Sequence, residues 1–93
     1  MKQFVLVSYD ISNDKKRLKV MKTLQDFGTR VQYSVFECRL ESMHLEMLKR
    51  RLKRLVGESQ DSIRFYYLSS DDVQRIEMLG KGSITPDRIY YMQ

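Results

Sequence analysis

The chain has no tryptophan and only one cysteine, one histidine and one proline. A lone Cys38 cannot close an intrachain disulfide, and its presence suits a reducing compartment. One cysteine and one histidine cannot by themselves build a zinc site. With four glycines and a single proline there is no low-complexity stretch, internal repeat or interdomain linker. No apolar run approaches the roughly 20 residues that cross a bilayer. Lys2 is followed by only a short apolar stretch that Asp10 interrupts, unlike a signal peptide. A cytoplasmic protein with no membrane partner is the expectation.

What remains is 93 residues with 42% hydrophobic and 11% aromatic content, which favours one folded domain, residues 1–93, over disorder. A chain this short buries a modest share of its surface, so association with a second copy would help it. The net charge of +5 is uneven. Residues 1–56 carry 13 Lys and Arg against 6 Asp and Glu, whereas residues 57–93 carry 4 against 6. That asymmetry fits a polyanion-binding body with a tail of different purpose, or a basic domain whose charge only keeps it dispersed.

Phe4 to Tyr9 reads as a strand apolar on both faces, Phe4 and Leu6 on one, Val5, Val7 and Tyr9 on the other. Ser12 or Asn13 caps a helix from about Asp14 to Phe27, with Leu18, Val20, Met21, Leu24 and Phe27 as its stripe and Gly28 as its stop. Arg30 to Leu40 alternates at Val31, Tyr33 and Val35, then shifts register to Phe36, Cys38 and Leu40. The shift predicts a bulge near Ser34-Val35 or two short strands. Ser42 caps a second helix with a Leu45, Leu48, Leu52, Leu55 stripe, Lys49, Arg50, Lys53 and Arg54 mostly outward, and Gly57 as its end. Ile63 to Leu68 is another strand. The tail reads as a strand at Val73–Leu79, a turn at Gly80-Lys81-Gly82 and an extended piece at Arg88–Met92, with Pro86 keeping helix away.

This order, β-α-β-β-α-β with an extra C-terminal strand, predicts an α+β ferredoxin-like sandwich. Two helices cover one face of such a sheet, yet the first strand is apolar on both. A two-fold homodimer packing sheet on sheet would cover the second, and the tail, residues 71–93, could add to the partner's sheet edge.

Asp10 is the candidate catalytic residue. It ends the buried strand and precedes Lys15, Lys16, Arg17 and Lys19, which follow within about two helical turns. A carboxylate there is also the ordinary residue of a turn or helix cap. Two copies near a two-fold axis would repel unless a proton or a cation lay between them. Magnesium suits that position because it uses one or two carboxylates with water and phosphate oxygens. Arg17 and Arg30 are the favoured phosphate contacts, since arginine grips phosphate with two parallel N–H bonds. The run Lys49-Arg50-Arg51, Lys53-Arg54 reads first as a solvated helix face. Tyr9 either positions substrate or fills the core edge; Phe36 and Cys38 read as core, and His44 as a surface or cap-side histidine.

Taken together, Val7-Ser8-Tyr9-Asp10-Ile11-Ser12, the basic Lys15-Lys16-Arg17-Leu18-Lys19 helix start, Gly28 to Glu37 and Asp61 to Tyr66 resemble CRISPR-associated protein 2. The resemblance implies a ferredoxin-like homodimer, its C-terminal tail packing across the dimer, and a metal-dependent endonuclease acting on single-stranded RNA or double-stranded DNA. It implies that Asp10 is the metal-binding and catalytic acid, with one Mg2+ shared by the two copies. Tyr9 and Phe36 match the family's aromatics, and Arg17 and Arg30 its nucleic-acid-binding positions. Lys19 stands where an arginine is common, keeping the charge and losing the fork. The resemblance also implies a scaffold role, in which the dimer bridges the integrase partner, CRISPR-associated protein 1, during spacer acquisition. A toxin-like ribonuclease of the virulence-associated protein D type shares the fold.

Overall fold

In the computed structural model, which describes residues 2–57 and 60–86, the order is β1 (Gln3–Asp10), α1 (Asp14–Gln25), β2 (Thr29–Gln32), β3 (Val35–Leu40), α2 (Ser42–Val56), β4 (Ser62–Leu68) and α3 (Ser70–Gln74). The four strands form one antiparallel sheet in the order β2-β3-β1-β4, the ferredoxin-like arrangement expected from the sequence. The first strand is central because it is the most apolar: Val5 and Val7 are wholly buried, and Phe4 and Tyr9 nearly so.

Successive side chains of a strand point to opposite faces, and the register divides the sheet accordingly. Val5, Val7 and Tyr9 of β1 lie on one face with Phe36, Cys38 and Leu40 of β3. Against them pack Val20 and Leu24 of α1, Phe27, and Leu45, Leu48 and Leu52 of α2. Each fully buried leucine contributes about 1.5–3 kcal/mol relative to exposure. The opposite face carries Phe4, Leu6, Ser8 and Asp10 of β1, Glu37 and Arg39 of β3, and Arg64 and Tyr66 of β4. Among the described residues neither α1 nor α2 covers it, but Phe4 is not bare. The Arg39 guanidinium lies 5.1 Å from its ring centroid. Arg39 Nε also donates to the Thr85 carbonyl at 3.0 Å, and the Thr85 hydroxyl donates to Glu37. The described part of the tail thus folds back onto this face, and Thr85 is buried there.

Several sequence expectations need correction. The first helix ends at Gln25 rather than Phe27, because Asp26, Phe27 and Gly28 turn back onto Thr23 and Leu24 through their N–H groups. Leu18 is 47% exposed, since it faces a cleft instead of the core. Of the two residues that the sequence offers as the cap of that helix, Asn13 takes the role, its Oδ1 accepting from Lys16 N at 2.9 Å. Ser42 is the first helical residue of α2, and Glu41 occupies the cap without a side-chain bond. Gly28 is required by proximity: a Cβ there would lie 2.4 Å from Cys38 Sγ and 2.5 Å from the Glu37 carbonyl oxygen. Between Arg30 and Leu40 there are two strands, one of the two readings the register change allows, turning at Tyr33-Ser34, and the pairing irregularity lies between Arg30 and Gln32 rather than near Ser34-Val35. Val31 and Tyr33 are exposed, so their alternation did not report burial.

The expected strand at Val73–Leu79 is absent. A short helix, α3, begins at Ser70 behind a capping box, in which Ser69 and Asp72 satisfy each other's backbone N–H groups. The extended piece expected at Arg88–Met92, and with it the extra C-terminal strand, lies outside the described residues.

Candidate functional site

Asp10 closes β1 opposite Ser62 of β4 and is exposed. Strand alternation puts it on the open face with Ser8, and pairing brings Arg64 opposite Ser8 and Tyr66 opposite Leu6. Ser8, Tyr9, Asp10, Ser62, Arg64 and Tyr66 line one shallow cleft of about 180 Å³. Arg64 Nη1 donates to the Tyr66 hydroxyl at 3.3 Å, and that bond holds the guanidinium's pKa above its ordinary value. Among the described residues no ion pair joins Arg64 to Asp10.

A second cleft, about 340 Å³, opens on the helix side of the same strand end and is lined by Tyr9, Asp14, Arg17, Leu18, Met21, Arg30 and Tyr33. Here stand two of the three cations singled out from the sequence, and both are already engaged. Arg17 Nη1 donates to the Ile11 carbonyl at 2.9 Å and to the Ser12 carbonyl at 3.4 Å, while Nη2 meets the Asp14 carboxylate. The Asp14 bond is the chief cause of the raised pKa of Arg17. Arg30 donates to the Tyr33 carbonyl from Nε at 3.1 Å and Nη2 at 2.8 Å. Its guanidinium also lies 5.2 Å from the Tyr33 ring centroid. Arg17 therefore holds the loop between β1 and α1, and Arg30 the turn between β2 and β3.

Tyr9 separates the clefts. Its hydroxyl donates to the Tyr33 carbonyl at 3.3 Å, and its ring lies 6.4 Å from that of Phe36. Burial pushes its phenol pKa up, with Arg30 and Arg17 pulling the other way, so at neutral pH it is a neutral hydrogen-bonding group. Phe36 is wholly buried, a core residue beneath the site. Lys19 is exposed on α1 and lines neither cleft.

The structure thus brings Arg17, Arg30 and Tyr9 together and sets Asp10 apart with Arg64 and Tyr66. Sequence reasoning missed Ser8, Ser62, Arg64 and Tyr66 as neighbours of Asp10. The signal that could have found them is the period-two alternation of β4 read against β1 once an antiparallel register is assumed. Also missed is Asp61, which accepts from Ser12 N at 3.3 Å and pairs with Lys16 at 3.4 Å, fixing the chain just beyond Asp10.

Other candidates resolve plainly. Cys38 is wholly buried, and burial pushes its thiol pKa up to about 12, so it is inert. Lys49, expected on the outer face, lies 5.9 Å from the Phe65 ring centroid and 5.4 Å from that of Tyr67. Among the described residues no three His, Cys, Asp or Glu side chains cluster as metal ligands. A single exposed carboxylate with two nearby serine hydroxyls fits a hard cation that keeps most of its water, and not a closed protein cage.

Comparison with known proteins gives a consistent result. A family model described as CRISPR associated protein Cas2 matches residues 1–76. The CRISPR-associated endoribonuclease Cas2 3 of Chloroflexus aurantiacus is 44% identical over 92 residues, 99% of each chain. A hypothetical protein, TT1823, from Thermus thermophilus has a crystal structure that superposes with a TM-score of 0.79 at 40% identity, covering 92% of this chain and 100% of that one. A chain of a partial Cas6-RT-Cas1–Cas2 complex superposes with a TM-score of 0.74 at 27% identity, covering 83% and 84%.

Proposed function

Because the chain belongs to the CRISPR-associated Cas2 family, we propose that it is a homodimeric, magnesium-dependent endonuclease that takes part in CRISPR spacer acquisition. The observation that carries the reading is Asp10: an exposed carboxylate, fixed at the end of a buried central strand, in a cleft that also holds a guanidinium and two serine hydroxyls. The endoribonuclease name of the Chloroflexus relative supports RNA as a substrate, with duplex DNA as the alternative.

Asp10 from each of two copies would hold Mg2+, which when bound would supply Lewis-acid stabilisation of phosphate charge and lower the pKa of its water. The chain's own groups do the rest. Ser8 and Ser62 present hydroxyls to phosphate oxygens, Tyr9 holds the strand end through the Tyr33 carbonyl, and Lys16 and Asp61 clamp the loop that follows Asp10. Lys19, exposed on α1 and outside both clefts, adds a cation that attracts a polyanion at longer range. The second copy would pack on the open sheet face at its apolar end, around the half-buried Leu6, and the tail, residues 71–93, would continue across the pair.

A scaffold reading is favoured by a different observation, the likeness to a chain of a Cas1–Cas2 complex. On that reading the dimer bridges the integrase partner, CRISPR-associated protein 1, and holds DNA, with Asp10 dispensable. Cleavage of labelled RNA and duplex DNA by wild type and Asp10→Asn, with and without magnesium, separates the two. Loss of cleavage in the variant supports the nuclease. Spacer integration that survives Asp10→Asn supports the scaffold.

A further inference from the structure

Among the described residues one cation lines the Asp10 cleft, and it comes from β4, not from the helix start. Arg64 is exposed, lines the cleft with Asp10, and stands directly opposite Ser8. Ser62 lies two residues before it on the same strand face, opposite Asp10. On a pleated sheet, diagonal neighbours of this kind are about 7–8 Å apart, somewhat less at Cβ, and their side chains leave room for a phosphate between the Asp10 carboxylate and the guanidinium. Tyr66, the next residue on the same face, accepts from Nη1 at 3.3 Å. Nη2 and Nε donate to no described residue, so the edge able to grip an anion is left over. Arg17 and Arg30, by contrast, spend their donors on backbone carbonyls in the other cleft.

We infer that Arg64, oriented by Tyr66, is the residue that grips a nucleic-acid phosphate in the cleft beside Asp10. The inference rests on the nuclease reading for the identity of the ligand. It adds a substrate-contacting residue, Arg64, and a positioning residue, Tyr66, that come from a different strand than the residues singled out in the sequence. Arginine fits this role because its planar fork meets two phosphate oxygens at once, whereas Lys offers only a point charge.

The test is binding without cleavage: anisotropy of a fluorescein-labelled single-stranded RNA and of a labelled DNA duplex, in EDTA, across a salt series. Arg64→Gln should weaken the preferred ligand about tenfold or more and lower the salt slope by about one. Arg64→Lys should keep the slope and recover only part of the affinity. Tyr66→Phe should weaken binding less than Arg64→Gln, again with the slope unchanged. Wild-type affinity and slope in Arg64→Gln would overturn the inference. If Arg64→Gln changes the molecular mass in solution, Arg64→Lys carries the test, and wild-type affinity in that variant overturns it. Because these readings need no metal, they stand apart from the nuclease assay: cleavage unchanged in Asp10→Asn would remove the nuclease reading while leaving the Arg64 contact measurable.

Discussion

Asp10 and Arg64 line the same cleft from neighbouring antiparallel strands, whereas Arg17, much nearer in sequence, lines the cleft on the other side of the sheet. Proximity along the chain and proximity in space therefore give different partners for the same carboxylate. Strand alternation explains it. Residue 9 and residue 10 point to opposite faces, so Tyr9 joins the helix-side cations and Asp10 the open face.

Arg17 and Lys19 should behave differently when removed. Arg17→Ala takes two carbonyl partners and the Asp14 pairing from the β1–α1 loop, so its thermal midpoint should fall measurably. Lys19→Ala, an exposed change away from both clefts, should leave stability within about 0.5 kcal/mol of wild type while lowering the salt slope of RNA binding by up to about one. Thermal unfolding and anisotropy on the same two variants check both halves.

Gly28→Ala should destabilise the fold by about 1–3 kcal/mol, the usual cost of overpacking. Its Cβ would meet the Glu37 carbonyl at 2.5 Å as well as the Cys38 sulfur, and the backbone atom cannot swing aside. Urea unfolding should therefore show little rescue when Cys38→Ala is added.

Phe36→Ala should cost about 3–5 kcal/mol, as for other buried aromatics, because the ring is wholly buried. Phe36→Leu, which keeps most of the volume, should retain cleavage and RNA affinity under conditions where it remains folded. A selective loss of RNA affinity in a folded Phe36→Leu would instead make the ring a substrate contact.

Cys38 makes stability fall at high pH. Its thiol titrates at about 12 in the folded chain, against about 8.5 when unfolded, so above pH 8.5 the unfolded state loses a proton that the folded state keeps. The contribution is fully present below that value and is lost as pH rises toward 12, with a limiting slope of about 1.4 kcal/mol per pH unit. Urea unfolding of wild type and Cys38→Ala at pH 8 and pH 10.5, read as the difference between the two proteins, should show the slope in wild type only.

Much of this fold is legible in the sequence. The Val5, Val7, Tyr9 and Phe36, Cys38, Leu40 alternations and the Leu45, Leu48, Leu52 stripe each mark a buried face, and together they fix the element order. The tail was misread because Val73, Ile76 and Leu79 look apolar enough for a strand. The Ser69–Asp72 spacing that caps α3 is the stronger local signal, and Leu79 is 99% exposed. The site was legible only in part. Asp10 stands out at its strand end, but Arg64 and Tyr66 become its neighbours through long-range pairing of β1 with β4. Nor does a sequence show that Arg17 and Arg30 are tied to carbonyls, since those partners are backbone atoms set by the turns around them.

Whether Asp10 is the metal-holding acid of a nuclease is decided by cleavage with matched preparations of wild type and Asp10→Asn. With magnesium and labelled RNA or duplex DNA, wild type should cleave and the variant should fall by about a hundredfold or more, the scale on which loss of one charge-stabilising group acts, with molecular mass and thermal midpoint unchanged. Equal, magnesium-dependent cleavage by the two proteins would mean that Asp10 does not hold the catalytic metal.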